Sequence, residues 1–202
     1  MLRSAPQQTT EPVWEMADFF PHQGAWTEED YLELETNRLV EYSHGQLEVL
    51  PMPTEAHQFI VLYLYQLLRV FLEKHNLGKV LVAPLRVCLW PGKYREPDVV
   101  VMLNEHADRR HQPYWEAPDL VMEVVSPDNR QLDLETKRRE YARAGIPEYW
   151  IVDQEQEKIS VLTLQDERYV EAGVYATGAI AQSALLTGFE IMVAGVWAAA
   201  RQ

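Results

Sequence analysis

Two short apolar runs in this chain each carry carboxylates where a buried strand is expected. Glu96-Pro97-Asp98-Val99-Val100-Val101 and Leu120-Val121-Met122-Glu123-Val124-Val125 read as β-branched strands of the buried kind. An ionised carboxylate inside such a run is costly unless a cation or hydrogen bonds compensate it. Two of them on short, adjacent strands point to a shared cation. Asp98 and Glu123 are its candidate ligands, and the carbonyl of Val124 is a further oxygen donor. A helical, basic stretch follows, Asp133-Leu134-Glu135-Thr136-Lys137-Arg138-Arg139. Asp133, Lys137 and Tyr141 stand at i, i+4 and i+8, along one helix face.

The chemistry such a set could perform is metal-assisted hydrolysis of a phosphodiester. A hard cation neutralises the non-bridging oxygens and acidifies a water, and a positive group is needed near the developing charge. Magnesium usually keeps several waters, so one or two carboxylates can hold it. Lys137 would orient the attacking water or stabilise the pentavalent transition state. Plainer alternatives stay open on spacing alone. Asp133 and Lys137 could be an ordinary ion pair on a solvated helix, and Asp98 a turn residue after Pro97. Glu123 is harder to treat that way, as the sole charge of its apolar strand.

Other polar residues carry weaker signals. Glu41, between Val40 and Tyr42, could be an exposed strand carboxylate. His57 stands in the first turn of an expected helix, where histidine usually caps or faces solvent. His106, Asp108 and His111 have a spacing compatible with zinc, but no second ligand pair stands out. Cys88 is the single cysteine, in an apolar run that reads as core, so there is no internal disulfide framework.

The elements that must position these residues follow from pattern. Thr27 and Asp30 form a capping-box pair, so a short helix is expected over Glu28 to Leu34. Arg38–Tyr42 and Gln46–Leu50 flank Ser43-His44-Gly45, a β-hairpin. Thr54 can cap a long helix to about Lys74 that is apolar on nearly every side, with Gly78 as the stop. Strands are expected at Lys79–Ala83 and Leu85–Trp90, then a turn over Pro91–Arg95. Residues 104–118 read as a polar loop with one helical turn. Ser126-Pro127-Asp128-Asn129 has helix-start chemistry, and the helix should run to Ala144, closed by Gly145. Glu148–Asp153, Lys158–Leu164, Arg168–Glu171 and Gly188–Met192 read as strands before a terminal helix ending near Ala200. The order is mixed α/β, with helices on the faces of a central sheet.

Composition bounds the function. The chain has 202 residues, 47% hydrophobic, enough for one domain with a substantial core. Residues 1–25 read as an N-terminal extension and 26–202 as a single domain. No apolar run beside a basic start marks a secretory signal, and Phe59–Leu72 is too short and too interrupted to span a bilayer. A soluble, cytoplasmic protein is expected. The net charge of −13 argues against non-specific nucleic-acid binding, which needs a basic surface. The charge is uneven, however. Arg86, Lys93, Arg95, Arg109, Arg110, Arg130, Lys137, Arg138, Arg139 and Arg143 are ten of the 18 basic residues.

Several of these segments together resemble a known family. Glu96-Pro97-Asp98, Pro118 to Pro127, Lys137 to Tyr141 and Ala144-Gly145-Ile146-Pro147-Glu148-Tyr149-Trp150-Ile151-Val152-Asp153 are similar to the Uma-two family of endonucleases, within the restriction-endonuclease-like PD-(D/E)XK superfamily. The hairpin Glu41 to Glu48 and the segment Pro51 to Gln58 fit the same pattern, and the resemblance spans roughly 26–192. It implies a restriction-endonuclease-like core, a central mixed β-sheet flanked by helices. It also implies a Mg2+ or Mn2+ site with Asp98 and Glu123 as the acidic pair. It raises Glu41 to a catalytic candidate and, to a lesser degree, His57 to a supporting one; Asp133 and Tyr141 are supporting candidates from their place on the Lys137 helix face. The position two after Glu123 is Val125 rather than the superfamily's lysine, and Lys137 is the residue that would take over its role.

The expectation is a metal-dependent DNA endonuclease with Glu41, Asp98, Glu123 and Lys137 as catalytic residues, acting as a homodimer on nucleic acid. The alternatives are a silent nuclease-fold binding or regulatory module, and a metal-dependent hydrolase of a small phosphorylated substrate.

Overall fold

The computed structural model describes residues 20–126 and 130–201. The helix-start chemistry read at 127–129 therefore lies outside the described residues. A short helix α1 (Glu28–Glu33) begins at Thr27, whose hydroxyl accepts from the Asp30 N–H while the Asp30 carboxylate accepts from the Thr27 N–H. The hairpin β1 (Val40–Ser43) and β2 (Gln46–Val49) follows, turning through His44 and Gly45 with positive φ. Residues 23–26, at the boundary drawn for the extension, hydrogen-bond this hairpin. Gly24 and Trp26 donate to the Gly45 carbonyl, and Gln23 exchanges two bonds with Leu47.

Helix α2 (Glu55–His75) is capped by Thr54 and buries one face only: Ile60, Val61, Leu64, Leu68 and Leu72. Leu62 and Val70 on its other side are exposed, which corrects the reading of an all-round apolar helix. Its stop is Asn76, which takes the left-handed conformation at φ 51°, while Gly78 already opens a strand.

The strands β3 (Gly78–Val82), β6 (Val99–Leu103), β8 (Leu120–Val124), β9 (Glu148–Asp153), β10 (Lys158–Gln165) and β11 (Arg168–Ala176) build a six-stranded sheet in the order β11-β10-β9-β8-β6-β3. It is antiparallel except between β8 and β9. That parallel pair needs a long crossover, and the helical segment before β9 provides it. A second sheet, β2-β1-β5-β4-β7, contains β4 (Arg86–Trp90), β5 (Lys93–Arg95) and β7 (Tyr114–Glu116). Two readings need correction here. The stretch taken as a turn through Arg95 holds β5, buried between β1 and β4. The polar loop at 104–118 holds a 3₁₀ segment (Asn104–Arg109) and β7. Alternation was too short in both to register as strand. The strand read at 168–171 continues to Ala176. A small hairpin, β12 (Ile180–Gln182) with β13 (Glu190–Met192), precedes helix α4 (Val193–Ala199).

The crossover helix runs in two parts. Leu132–Lys137 is wound wide, with π-type hydrogen bonds, and α3 (Arg138–Arg143) continues it to Gly145 at φ 77°. Strand alternation decides what it faces. Val99, Val101, Leu120, Met122, Trp150 and Val152 pack under α2 and α4. Val100, Met102, Val121, Val125, Tyr149 and Ile151 pack on the opposite side, against Tyr141 and Ile146. Asp98 shares its parity with Val100, and Glu123 with Val121. Glu123 therefore belongs to the face covered by the crossover helix, while Asp98, one residue before β6, also meets His57 of α2 at the sheet's end.

Candidate functional site

The pairing of β6 with β8 matches Val99 with Met122, Val100 with Val121 and Val101 with Leu120. Carried one residue further, that register sets Asp98 opposite Glu123. The Val124 N–H donates to Asp98 Oδ2 at 2.7 Å, so the second strand itself orients the carboxylate of the first. His57, in the first turn of α2, brings Nε2 to 3.2 Å from the same oxygen. Burial works against a charged His57 ring, but the Asp98 bond, with Glu123 and the Val124 backbone, holds its pKa above the ordinary value. Among the described residues its buried Nδ1 has no hydrogen-bond partner.

Glu123 is 2% exposed and doubly engaged. The Tyr141 hydroxyl donates to Oε1 at 2.5 Å, and Lys137 Nζ lies 3.0 Å from Oε2. Lys137 Nζ is also 3.1 Å from Asp133 Oδ1 and 4.0 Å from Glu41 Oε1. Both Asp133 and Lys137 are buried, so this is not an ion pair on a solvated helix. Burial pushes the Glu123 carboxyl up to about 8, opposed by Lys137 and reinforced by Asp98 and Asp133. Burial raises Asp133 as well. Burial alone would lower Lys137, but Glu123, Glu41, Asp133 and Asp98 hold it well above the usual lysine value. Four carboxylates thus act on one ammonium.

Glu41 is 1% exposed, which removes the reading of an exposed strand carboxylate. It is bound less to the cavity than to a network behind it. Arg95 donates from a terminal nitrogen to Glu41 Oε2 and from Nε to Glu140 Oε2 at 2.7 Å, and Lys93 Nζ lies 3.0 Å from Glu140 Oε1. Arg95 also offsets the repulsion of Glu41 and Glu48, which face each other across the hairpin. Glu96 was quoted above only as part of a motif, yet it belongs with this group. It is buried, accepts the Val40 N–H at 2.9 Å, and burial raises its pKa to about 7. Its parity with Asp98 was the available signal. Arg95 and Glu140 gave none, because their partners lie far along the chain.

His57, Glu96, Asp98, Glu123, Val124, Asp133 and Lys137 line a cavity of about 320 Å³, with Glu41, Arg95, Glu140 and Tyr141 behind it. Its other wall is Leu39, Leu50, Pro51, Met52 and Pro53. The zinc spacing does not assemble. His106 Nδ1 contacts Asp119 at 2.6 Å, and His111 Nε2 contacts Glu116 at 3.3 Å. Among the described residues no three His, Cys, Asp or Glu side chains converge as a closed metal cage. The donors at hand are two carboxylates and backbone oxygen with surplus negative charge. They fit a hard, partly hydrated dication better than a tetrahedral zinc site.

The comparisons with known proteins follow this geometry. Residues 28–194 match the model of the Uma2 family, described as "Putative restriction endonuclease". None of the curated proteins matches the chain. Among solved structures, the fold is similar to that of a protein from Anabaena variabilis described as "a putative nuclease belonging to DUF820". The TM-score is 0.72 at 18% identity, over 87% of this chain and 99% of that one. The fold is therefore restriction-endonuclease-like, with mixed sheets flanked by helices.

Proposed function

Since the chain belongs to the Uma2 family over residues 28–194, we propose that it is a divalent-metal-dependent DNA endonuclease. The observation that carries this reading is the convergence of Asp98, Glu123 and Lys137 on one cavity from two adjacent strands and the crossover helix. Asp98, Glu123 and the Val124 carbonyl would hold Mg2+ or Mn2+. When bound, the ion would neutralise phosphoryl oxygens and lower the pKa of a water.

The other roles belong to the chain's own groups. Tyr141 and Lys137 fix the Glu123 carboxylate from both sides. His57 and the Val124 N–H fix Asp98. Lys137 carries the positive charge that the pentavalent transition state needs, and Asp133 with Glu41 keeps it charged inside the protein. Val125 occupies the strand position where the superfamily has lysine and packs as core, so the ammonium arrives from the helix instead.

Calorimetric titration with Mn2+ tests the metal site. Wild type should bind, and the Asp98→Asn, Glu123→Gln double variant should not. Equal binding by both would remove these ligands. A second reading, hydrolysis of a small phosphorylated substrate, is favoured by the net charge of −13 and the small cavity. Competition by mononucleotides in a metal-dependent cleavage assay distinguishes it.

A further inference from the structure

We propose that the strap joining β2 to α2 is a base-contacting wall, and that the site takes an unstacked nucleotide of single-stranded DNA with Met52 packed on its base. This deepens the nuclease reading above and rests on it.

The cavity has two unlike sides. One is the carboxylate cluster with Lys137, and the other is Leu39, Leu50, Pro51, Met52 and Pro53. The apolar side is held in place. Leu50 N–H donates to the Leu39 carbonyl at 2.9 Å, and Thr54 caps α2 immediately beyond. Two prolines stiffen the backbone between these anchors. Met52 nevertheless remains 62% exposed at the rim. A large apolar side chain at the mouth, beside carboxylates that would hold a dication, suits a ligand with one anionic and one flat apolar end. A nucleotide is such a ligand. Methionine, leucine and proline are among the apolar side chains that proteins wedge between base steps as they unstack.

The charge distribution argues against a duplex lying along the cleft. Among the described residues, Lys137 is the one Lys or Arg lining the cavity, and it is already enclosed by Glu41, Glu123 and Asp133. Much of the basic enrichment between 86 and 143 is engaged internally. Arg86 donates to the Leu32 and Leu34 carbonyls, Lys93 and Arg95 pair with Glu140, and Arg130 pairs with Asp153. Among the described residues, the cavity lining thus holds no track of free cations for several consecutive phosphates. About 320 Å³ is at the low end for a small-ligand pocket and accommodates one nucleotide unit. A base must leave its stack to enter, which costs least in a single strand.

The test uses the full chain with Mn2+ and one labelled oligonucleotide, alone and annealed to its complement. The single strand should be cleaved at least about tenfold faster than the duplex, and Met52→Asp should lower its kcat/KM by about tenfold, the scale of one base contact. Met52→Leu should retain the rate, and Mn2+ affinity should be the same in all three proteins. With Ca2+ in place of Mn2+, a 2-aminopurine single strand should change its fluorescence on wild type and not on Met52→Asp. Faster duplex cleavage, or an indifferent Met52→Asp, overturns the proposal. If neither substrate is cleaved, the nuclease reading fails on its own. The fluorescence then decides the wall: a Met52-dependent change upholds it and no change overturns it.

Discussion

Lys137 Nζ lies 3.0 Å from Glu123 Oε2, joining a helix cation to a strand carboxylate where the superfamily pattern would place both on one strand. The wide winding of Leu132–Lys137 precedes this contact directly, and π-type turns are frequent where a helix must aim a functional group. The ammonium offsets buried negative charge, and under the proposed function it would also supply positive charge to a phosphoryl group.

Lys137→Met should therefore abolish cleavage and also destabilise the fold. It leaves Glu123 and Asp133 buried without their cation, a loss of about 3–5 kcal/mol for a broken buried pair. Urea unfolding should show the full loss at pH 8. At pH 5 the loss should be smaller, because both carboxyls titrate above their ordinary values and can protonate instead. Equal losses at the two pH values would contradict this account.

Stability of the metal-free protein should fall as pH rises from about 5 to 8. Glu96 and Glu123 titrate in the folded protein at about 7 and about 8, above their unfolded values. The folded state thus holds the extra protons in that window, and the advantage present at low pH is lost as each carboxyl ionises. Differential scanning calorimetry with and without Mn2+ checks this. Added Mn2+ should flatten the slope, and a melting temperature that rises with pH in chelator would refute it.

Tyr141→Phe removes the 2.5 Å bond to Glu123 Oε1 and little else, since the ring stays packed edge-on against Tyr149. Above about pH 8, where Glu123 is ionised, a cost of about 1.5–3 kcal/mol is expected for a bond to a charged acceptor, with a lowered kcat and the fold retained. An unchanged kcat would show that Glu123 is held well enough without it.

Arg95→Met should be more damaging to stability than any exposed arginine change. It leaves Glu41 with only the more distant Lys137 and Glu140 with Lys93 alone, and loosens the hairpin from the crossover helix. About 3–5 kcal/mol is expected in urea unfolding. The Arg95→Met, Glu140→Gln double variant should lose less than the sum of the single losses.

What was legible in the sequence was what is local or periodic. The capping box at Thr27, the Thr54 cap, the hairpin and the strands around Asp98 and Glu123 are all short-range patterns, and the structure has them. The i, i+4, i+8 spacing found Asp133, Lys137 and Tyr141, and all three meet at Glu123 or its cation. What escaped depended on distant partners. β5 and β7 are three residues each, too short for alternation to speak, and exist because β1 and β4 pair with them. Arg95 and Glu140 carry no local signal of pairing, because the fold brings them together from β5 and the crossover helix. The charge asymmetry was visible, but its use in internal pairs was not.

The most direct test of the central claim is cleavage of labelled single-stranded and plasmid DNA by wild type and Glu123→Gln, in Mn2+ and in chelator. The account predicts cleavage by wild type that needs the metal and disappears in Glu123→Gln. Cleavage that persists in chelator, or at the wild-type rate in Glu123→Gln, would contradict it.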